Sequence, residues 1–100
     1  MYIAMNRFSV NEGREEDFEK VWATRESFLD EVPGFVEFRL LRGATSEGIT
    51  TYVSHSVWQS REVFSDWTQS ESFRRGHAQA GGSKGVIAGH PQFEGYEVVL

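Results

Sequence analysis

The sequence predicts an α+β fold of the ferredoxin-like type, with the order β-α-β-β-α(α)-β and helices on one face of an antiparallel sheet. Three observations support this prediction. Segments with the alternating pattern of strands occur at the start, in the middle and at the end of the chain. Stretches with the helical period separate them. Glycine, proline, asparagine or serine residues, which favour turns, lie at the boundaries.

The first strand and the first helix make up the first third of the chain. The strand is predicted over 2–10, where both alternating faces carry apolar residues, as in a sheet that is covered on both sides. After a turn, the helix is predicted over 14–31, with acidic residues in its first turn, where the helix dipole favours negative charge. Pro33 and Gly34 end it. Its apolar stripe consists of Phe18, Val21, Trp22, Phe28, Leu29 and Val32.

A hairpin and a further helix are predicted for the middle of the chain. The second and third strands are expected over 35–42 and 49–58, and a turn over 43–48 makes them antiparallel neighbours. Ser60 is positioned to cap the N-terminus of a helix over 61–69, because its hydroxyl can accept a hydrogen bond from a free backbone N–H group.

A short helix and a final strand complete the predicted order. Ser70 is positioned to cap a helix over 71–79, and the glycine pair that follows stops it. A loop over 82–91 then leads to the last strand over 93–100. No repeat or low-complexity tract interrupts this order.

Composition excludes several classes of protein. The 100 residues are expected to form a single domain over 1–100. A net charge of −5, with mixed signs along the chain, argues against nucleic-acid binding. The absence of cysteine excludes disulfides, thiolate metal sites and a cysteine nucleophile. Since the N-terminus lacks a signal-peptide pattern and no apolar run approaches about 20 residues, we expect a cytoplasmic protein without membrane contact.

A homodimer is expected on two grounds. A small domain buries a smaller share of its surface on folding than a large one, and self-association commonly buries more of that surface. An antiparallel sheet with helices on one face also leaves its second face in need of cover. Two such sheets that pack face to face would cover each other.

Three residues do not fit a plain core. Arg25 lies in the apolar stripe of the first helix, where its head either reaches the helix edge, pairs with an acidic neighbour or meets an anionic ligand. Asn6 lies on an apolar strand face, and its amide binds either a neighbouring group or a ligand. Trp67 extends the stripe of the helix over 61–69, which is typical of a core and also of a cofactor contact.

His77 is the candidate metal ligand. It follows Phe73 by four residues, so the two share a face of the short helix. A histidine near a helix C-terminus is often a cap or a partner of the helix dipole, but neutral imidazole is also the usual protein ligand of haem iron. His55 and His90 give no spacing for a paired-ligand motif.

Three short stretches point to one family. They are Ala-Met-Asn-Arg-Phe around Asn6, Phe-Ser-Asp-Trp ending at Trp67, and Ser-Phe-Arg-Arg-Gly-His ending at His77. With these residues the chain resembles, over essentially its whole length, the IsdG-type haem-degrading monooxygenases. Those enzymes belong to the antibiotic-biosynthesis-monooxygenase superfamily of dimeric α+β barrels. Further matches are Pro-Gly-Phe at 33–35, Leu-Leu-Arg at 40–42 and Val-Trp at 57–58.

The resemblance implies a role for each matching residue. His77 would be the axial iron ligand, Asn6 a hydrogen-bond donor on the opposite, distal side, and Trp67 a contact that distorts the ring. Trp22 and Arg25 fall where relatives place an aromatic residue near the ring and a basic residue near a propionate. Phe73, on the face of His77, completes the predicted haem contacts.

The implied reaction opens the porphyrin ring with O2 and electrons from an external donor, and it releases iron. Haem would then be both the substrate and the oxygen-activating cofactor. Three alternatives remain from the sequence alone. One is a cofactor-free monooxygenase of the same superfamily that acts on a quinol or phenol. Another is a non-catalytic haem-binding or haem-trafficking protein, and the third is a bare dimeric barrel with a structural or ligand-sensing role.

Overall fold

A computed structural model describes residues 1–29, 31–70 and 85–100, with the backbone alone over 24–28. Its elements are β1 (Tyr2–Asn11), α1 (Glu15–Leu29), β2 (Phe35–Ser46), β3 (Ile49–Trp58), α2 (Arg61–Thr68) and β4 (Gln92–Glu97). The strands form one antiparallel sheet in the order β2-β3-β1-β4. This arrangement confirms the predicted ferredoxin-like α+β fold. The short helix predicted over 71–79 lies outside the described residues.

The hairpin between β2 and β3 corrects the predicted turn over 43–48. β2 continues to Ser46, and Glu47 and Gly48, with φ angles of 52° and 78°, make the turn. Two consecutive positive φ values are typical of the tight type I′ hairpin. Gly43 therefore stays in the strand rather than ending it, and a register shift between Arg42 and Thr45 accommodates the extra residues.

The last strand is shorter than predicted over 93–100. β4 ends at Glu97, whose partner Tyr2 is the first residue of β1, so there is no further strand to pair with. The N–H group of Val98 still donates to the carbonyl of Met1 at 2.9 Å. Val99 and Leu100 are exposed.

The helices end slightly before their predicted limits. α1 ends at Leu29 and α2 at Thr68, and the predicted cap is confirmed, because the Ser60 hydroxyl accepts from the N–H of Val63 at 3.2 Å. Neither described helix is long and apolar enough to cross a membrane.

The helices cover one face of the sheet, and two clusters fill the space beneath them. The first cluster consists of Phe8, Val10, Phe18, Trp22, Tyr52 and Val86. The second cluster consists of Tyr2, Ala4, Leu29 and Trp58, with the half-buried Val63, Phe64 and Trp67 of α2 packed against it. On β1 the buried residues alternate, so the helix-facing positions are the even ones.

Candidate functional site

A polar position interrupts the helix-facing side of β1. Asn6 stands between Ala4 of the second cluster and Phe8 of the first cluster, and its cross-strand partners are Ser54 on β3 and Phe93 on β4. Ala4 and Phe8 are buried, whereas Asn6 is only half-buried. We take the surface between the two clusters, with the half-buried Asn6 amide in its middle, as the candidate cleft.

α2 supplies one wall of this cleft through Trp67. The Trp67 ring centroid lies 5.0 Å from that of Trp58 and 6.0 Å from that of Phe64. Trp58 is fully buried, and its indole N–H donates to the Ser56 hydroxyl at 2.9 Å, which fixes the base of the wall. Trp67 is half-buried, so it is partly a core residue and partly available to a ligand.

Gly34 determines how closely α2 approaches the sheet. Its φ of 86° favours glycine, and a Cβ at this position would overlap the Val63 side chain. Val63 thus packs directly on the backbone of the segment before β2. The close approach brings the aromatic residues of α2 over the second cluster.

α1 supplies the opposite wall through Trp22. This ring stacks on Phe38 with a centroid distance of 5.4 Å and an interplanar angle of 14°, and its edge meets Phe8 at 5.6 Å. A cavity of about 470 Å³ opens beside it, between α1 and β2. The cavity is lined by Glu19, Trp22, Ala23, Phe38, Arg39, Leu40, Arg42 and Tyr52.

Two polar contacts tie α1 to the sheet. The Tyr52 hydroxyl donates to Glu19 at 2.5 Å, and burial together with this bond raises the pKa of Tyr52 to about 12. The Thr50 hydroxyl donates to Glu15 at 2.7 Å and lowers the pKa of that carboxyl. Tyr52 therefore remains a neutral hydrogen-bond donor near neutral pH and holds α1, with Trp22, in place.

Three of the predicted site residues lie on the helix-facing side of the sheet. Asn6 stands between the two clusters, Trp22 belongs to the first cluster and Trp67 packs against the second. For Arg25 the backbone alone is described, within α1. His77 and Phe73 lie outside the described residues.

Sequence reasoning missed Phe93, the partner of Asn6 on β4. The alternation of the last strand places it on one face, but only the register shows that this is the face and level of Asn6. In residues 1–29, 31–70 and 85–100, no three histidine, aspartate or glutamate side chains are grouped as metal ligands.

Comparisons with known proteins agree with this architecture. The family model described as "Antibiotic biosynthesis monooxygenase" matches residues 1–79. A haem oxygenase (mycobilin-producing) of Mycobacterium tuberculosis is 31% identical over 98 residues, which cover 98% of this chain and 89% of the relative. The deoxynogalonate monooxygenase of Streptomyces nogalater is 38% identical over 77 residues, covering 77% of this chain and 55% of that protein.

A solved structure extends the likeness to three dimensions. It is the haem degrader MhuD of Mycobacterium tuberculosis with two haems bound in its active site, 30% identical to this chain. The two superpose with a TM-score of 0.77 over 100% of this chain and 97% of the other.

Proposed function

This chain belongs to the antibiotic biosynthesis monooxygenase family, and within that family we propose that it is a haem-degrading monooxygenase. It would bind haem as its substrate, open the porphyrin ring with O2 and external electrons, and release iron. The observation that carries the proposal is the half-buried Asn6 amide between two aromatic walls. Similarity to a haem oxygenase along 98% of the chain supports it.

The residue types around the candidate cleft suit a flat macrocycle. A porphyrin offers two broad apolar faces, which aromatic side chains such as Trp22 and Trp67 contact favourably. One amide on the floor supplies a directed hydrogen bond without filling the cleft with charge. Haem needs a single axial protein ligand, and we assign that role to His77.

The remaining residues position the substrate. With haem bound, Asn6 would donate its amide N–H to the ligand side opposite His77, Trp67 would contact and distort the macrocycle, and Trp22 would line the α1 side. Phe73 would contact haem beside His77, and Arg25 would pair with a propionate. Haem would supply the activation of O2.

We also propose that the protein is a cytoplasmic homodimer with one domain over 1–100. The second face of the sheet carries apolar side chains that are half-buried or exposed, among them Leu41 and Tyr96. Packing against a second copy would cover these groups.

A cofactor-free monooxygenase is the second candidate. The 38% identity over 77 residues to deoxynogalonate monooxygenase, whose substrate by its name is not haem, favours a second substrate class. Such an enzyme would hold a quinol or phenol in the same cleft, against Asn6 and Trp67, and would not require His77 as a ligand.

A haemin titration separates these functions. The apoprotein should form a histidine-ligated complex at one haemin per chain, and ascorbate in air should then destroy the Soret band. His77→Ala should form no such complex, whereas His90→Ala, which removes an exposed histidine, should behave as the wild type. No complex with the wild type would refute the proposal. A complex that survives ascorbate and O2 would favour a haem-binding protein without this activity.

A further inference from the structure

The ring of Phe93 lies beside the candidate cleft and is stacked on another ring, yet it is largely exposed to solvent. It lies on the helix-facing side of β4, directly across from Asn6. Its ring is nearly parallel to that of Phe64, at an interplanar angle of 7° and a centroid distance of 5.7 Å. In spite of this stacking, Phe93 remains 52% exposed.

The neighbouring residues hold this ring in position. The next helix-facing residue of β4 is Gly95, where a Cβ would overlap the Tyr2 hydroxyl, so the Tyr2 side chain lies across the strand at that point. Tyr2 also contacts Phe64, at a centroid distance of 5.6 Å. Phe64 therefore contacts both Tyr2 and Phe93. The three rings form a row, and Phe93 is its exposed end.

An exposed ring next to a polar amide is the usual composition of a ligand contact. Exposure of this much aromatic surface is unfavourable in water, and a flat apolar ligand that reaches the Asn6 amide would cover part of it. Phe64 is in turn 6.0 Å from Trp67, so the row of rings continues into the α2 wall.

We propose that Phe93 contacts the substrate and helps to select it. With Phe64 it lines the β4 side of the cleft, and it favours a ligand whose flat surface extends along the row of Phe93, Phe64 and Trp67, where successive ring centroids are 5.7 and 6.0 Å apart. This inference rests on the proposed haem-degrading function, because a tetrapyrrole is broad enough to cover that row and a single phenol ring is not.

Metal-free protoporphyrin IX is the appropriate probe, because it has the macrocycle and propionates of haem but no iron to bind His77. Its binding to the protein is measured by quenching of tryptophan fluorescence. Phe93→Ala should weaken binding about tenfold, which corresponds to about 1.4 kcal/mol. Phe93→Leu, which keeps apolar bulk but lacks the flat ring, should give a smaller loss.

Val99→Ala is the control. Val99 is 85% exposed and follows the end of β4 at Glu97, outside the paired part of the sheet. The affinity of Val99→Ala should remain within about twofold of the wild type. Circular dichroism and size-exclusion chromatography verify that all variants share one fold and oligomeric state. Equal affinity of Phe93→Ala and the wild type, or equal losses in Phe93→Ala and Val99→Ala, would overturn the assignment of Phe93.

A parallel haemin titration keeps the two proposals distinguishable. If the wild type forms the histidine-ligated complex while Phe93→Ala binds the metal-free porphyrin normally, only the role of Phe93 fails. If the wild type binds the porphyrin through Phe93 but forms no such complex with haemin, the haem-degrading function fails and the contact stands. A wild type that binds neither probe overturns both.

Discussion

Replacement of Tyr52 by phenylalanine tests whether the contact between α1 and β3 stabilises the wall that carries Trp22. Tyr52 is 1% exposed, and its hydroxyl donates to Glu19 at 2.5 Å. Phenylalanine keeps the ring that packs at 5.0 Å from Phe18 and removes only the hydroxyl. Hydrogen bonds to charged groups contribute about 1.5–3 kcal/mol. Because the Glu19 side chain is 48% exposed and regains water, we expect a loss of about 2 kcal/mol near neutral pH.

The same contact predicts how stability depends on alkaline pH. The pKa of Tyr52 is raised from 10.0 to about 12 in the folded protein, so its contribution to stability is complete below the unfolded value. The contribution is lost as the pH rises, because the unfolded chain ionises first. Because one pKa unit corresponds to about 1.36 kcal/mol, the loss is about 1 kcal/mol near pH 11 and about 2 kcal/mol near pH 12. The advantage of the wild type over Tyr52→Phe should therefore nearly vanish by about pH 12.

Urea unfolding followed by tryptophan fluorescence measures both effects. The wild type and Tyr52→Phe are compared near neutral pH and at steps up to about pH 11. Tyr96→Phe is the control, since its hydroxyl donates to Glu94 on an exposed surface and should contribute little. Equal stability of the wild type and Tyr52→Phe near neutral pH, or a difference that does not shrink at alkaline pH, would refute this account of the contact.

Three further predictions concern the site and its supports. Gly34→Ala should destabilise the protein by about 1–3 kcal/mol, because both the φ of 86° and the overlap with Val63 oppose a side chain at this position. In thermal melts, the double variant Gly34→Ala/Val63→Ala should recover only part of this loss, because Val63→Ala removes the overlap but leaves the unfavourable φ. Glu15→Gln should weaken the pH dependence of stability under acidic conditions. The hydrogen bond from Thr50 lowers the pKa of Glu15 from 4.5, so the contribution of this carboxylate to stability is complete above pH 4.5 and is lost as the pH falls through the lowered value. If urea unfolding showed the same loss of stability in acid for the wild type and Glu15→Gln, that result would count against the contact. Asn6→Ala should bind haemin with a normal Soret band but degrade it slowly under ascorbate, and a normal rate would remove the distal role of its amide.

The sequence predicted the order of the described elements because each had a clear period and a clear boundary. The cap at Ser60 and the span of β3 agree with the structure for that reason. The turn was predicted to begin at Gly43 because glycine favours turns, but cross-strand pairing can keep a glycine within a strand. The end of β4 depends on where β1 begins, which is a property of the pairing and not of the last residues themselves.

The candidate site was only partly predictable for a related reason. Asn6 and Trp67 each fit a core residue by pattern, and their placement around one cleft depends on the packing of α2 on the sheet. Phe93 became a candidate only through its register with Asn6. The roles of His77 and Arg25 remain predictions that rest on the family resemblance.

The release of iron from haem tests the central claim most directly. The wild-type protein is loaded with one haemin per chain, and ascorbate and catalase are added in air. A ferrous-iron chelator measures the iron that is released, and the Soret band measures the haem that remains. We predict that iron appears in proportion to the haem lost, and that His77→Ala releases none above the rate of free haemin. Wild-type protein that leaves haem intact, or that releases iron no faster than His77→Ala, would contradict the account.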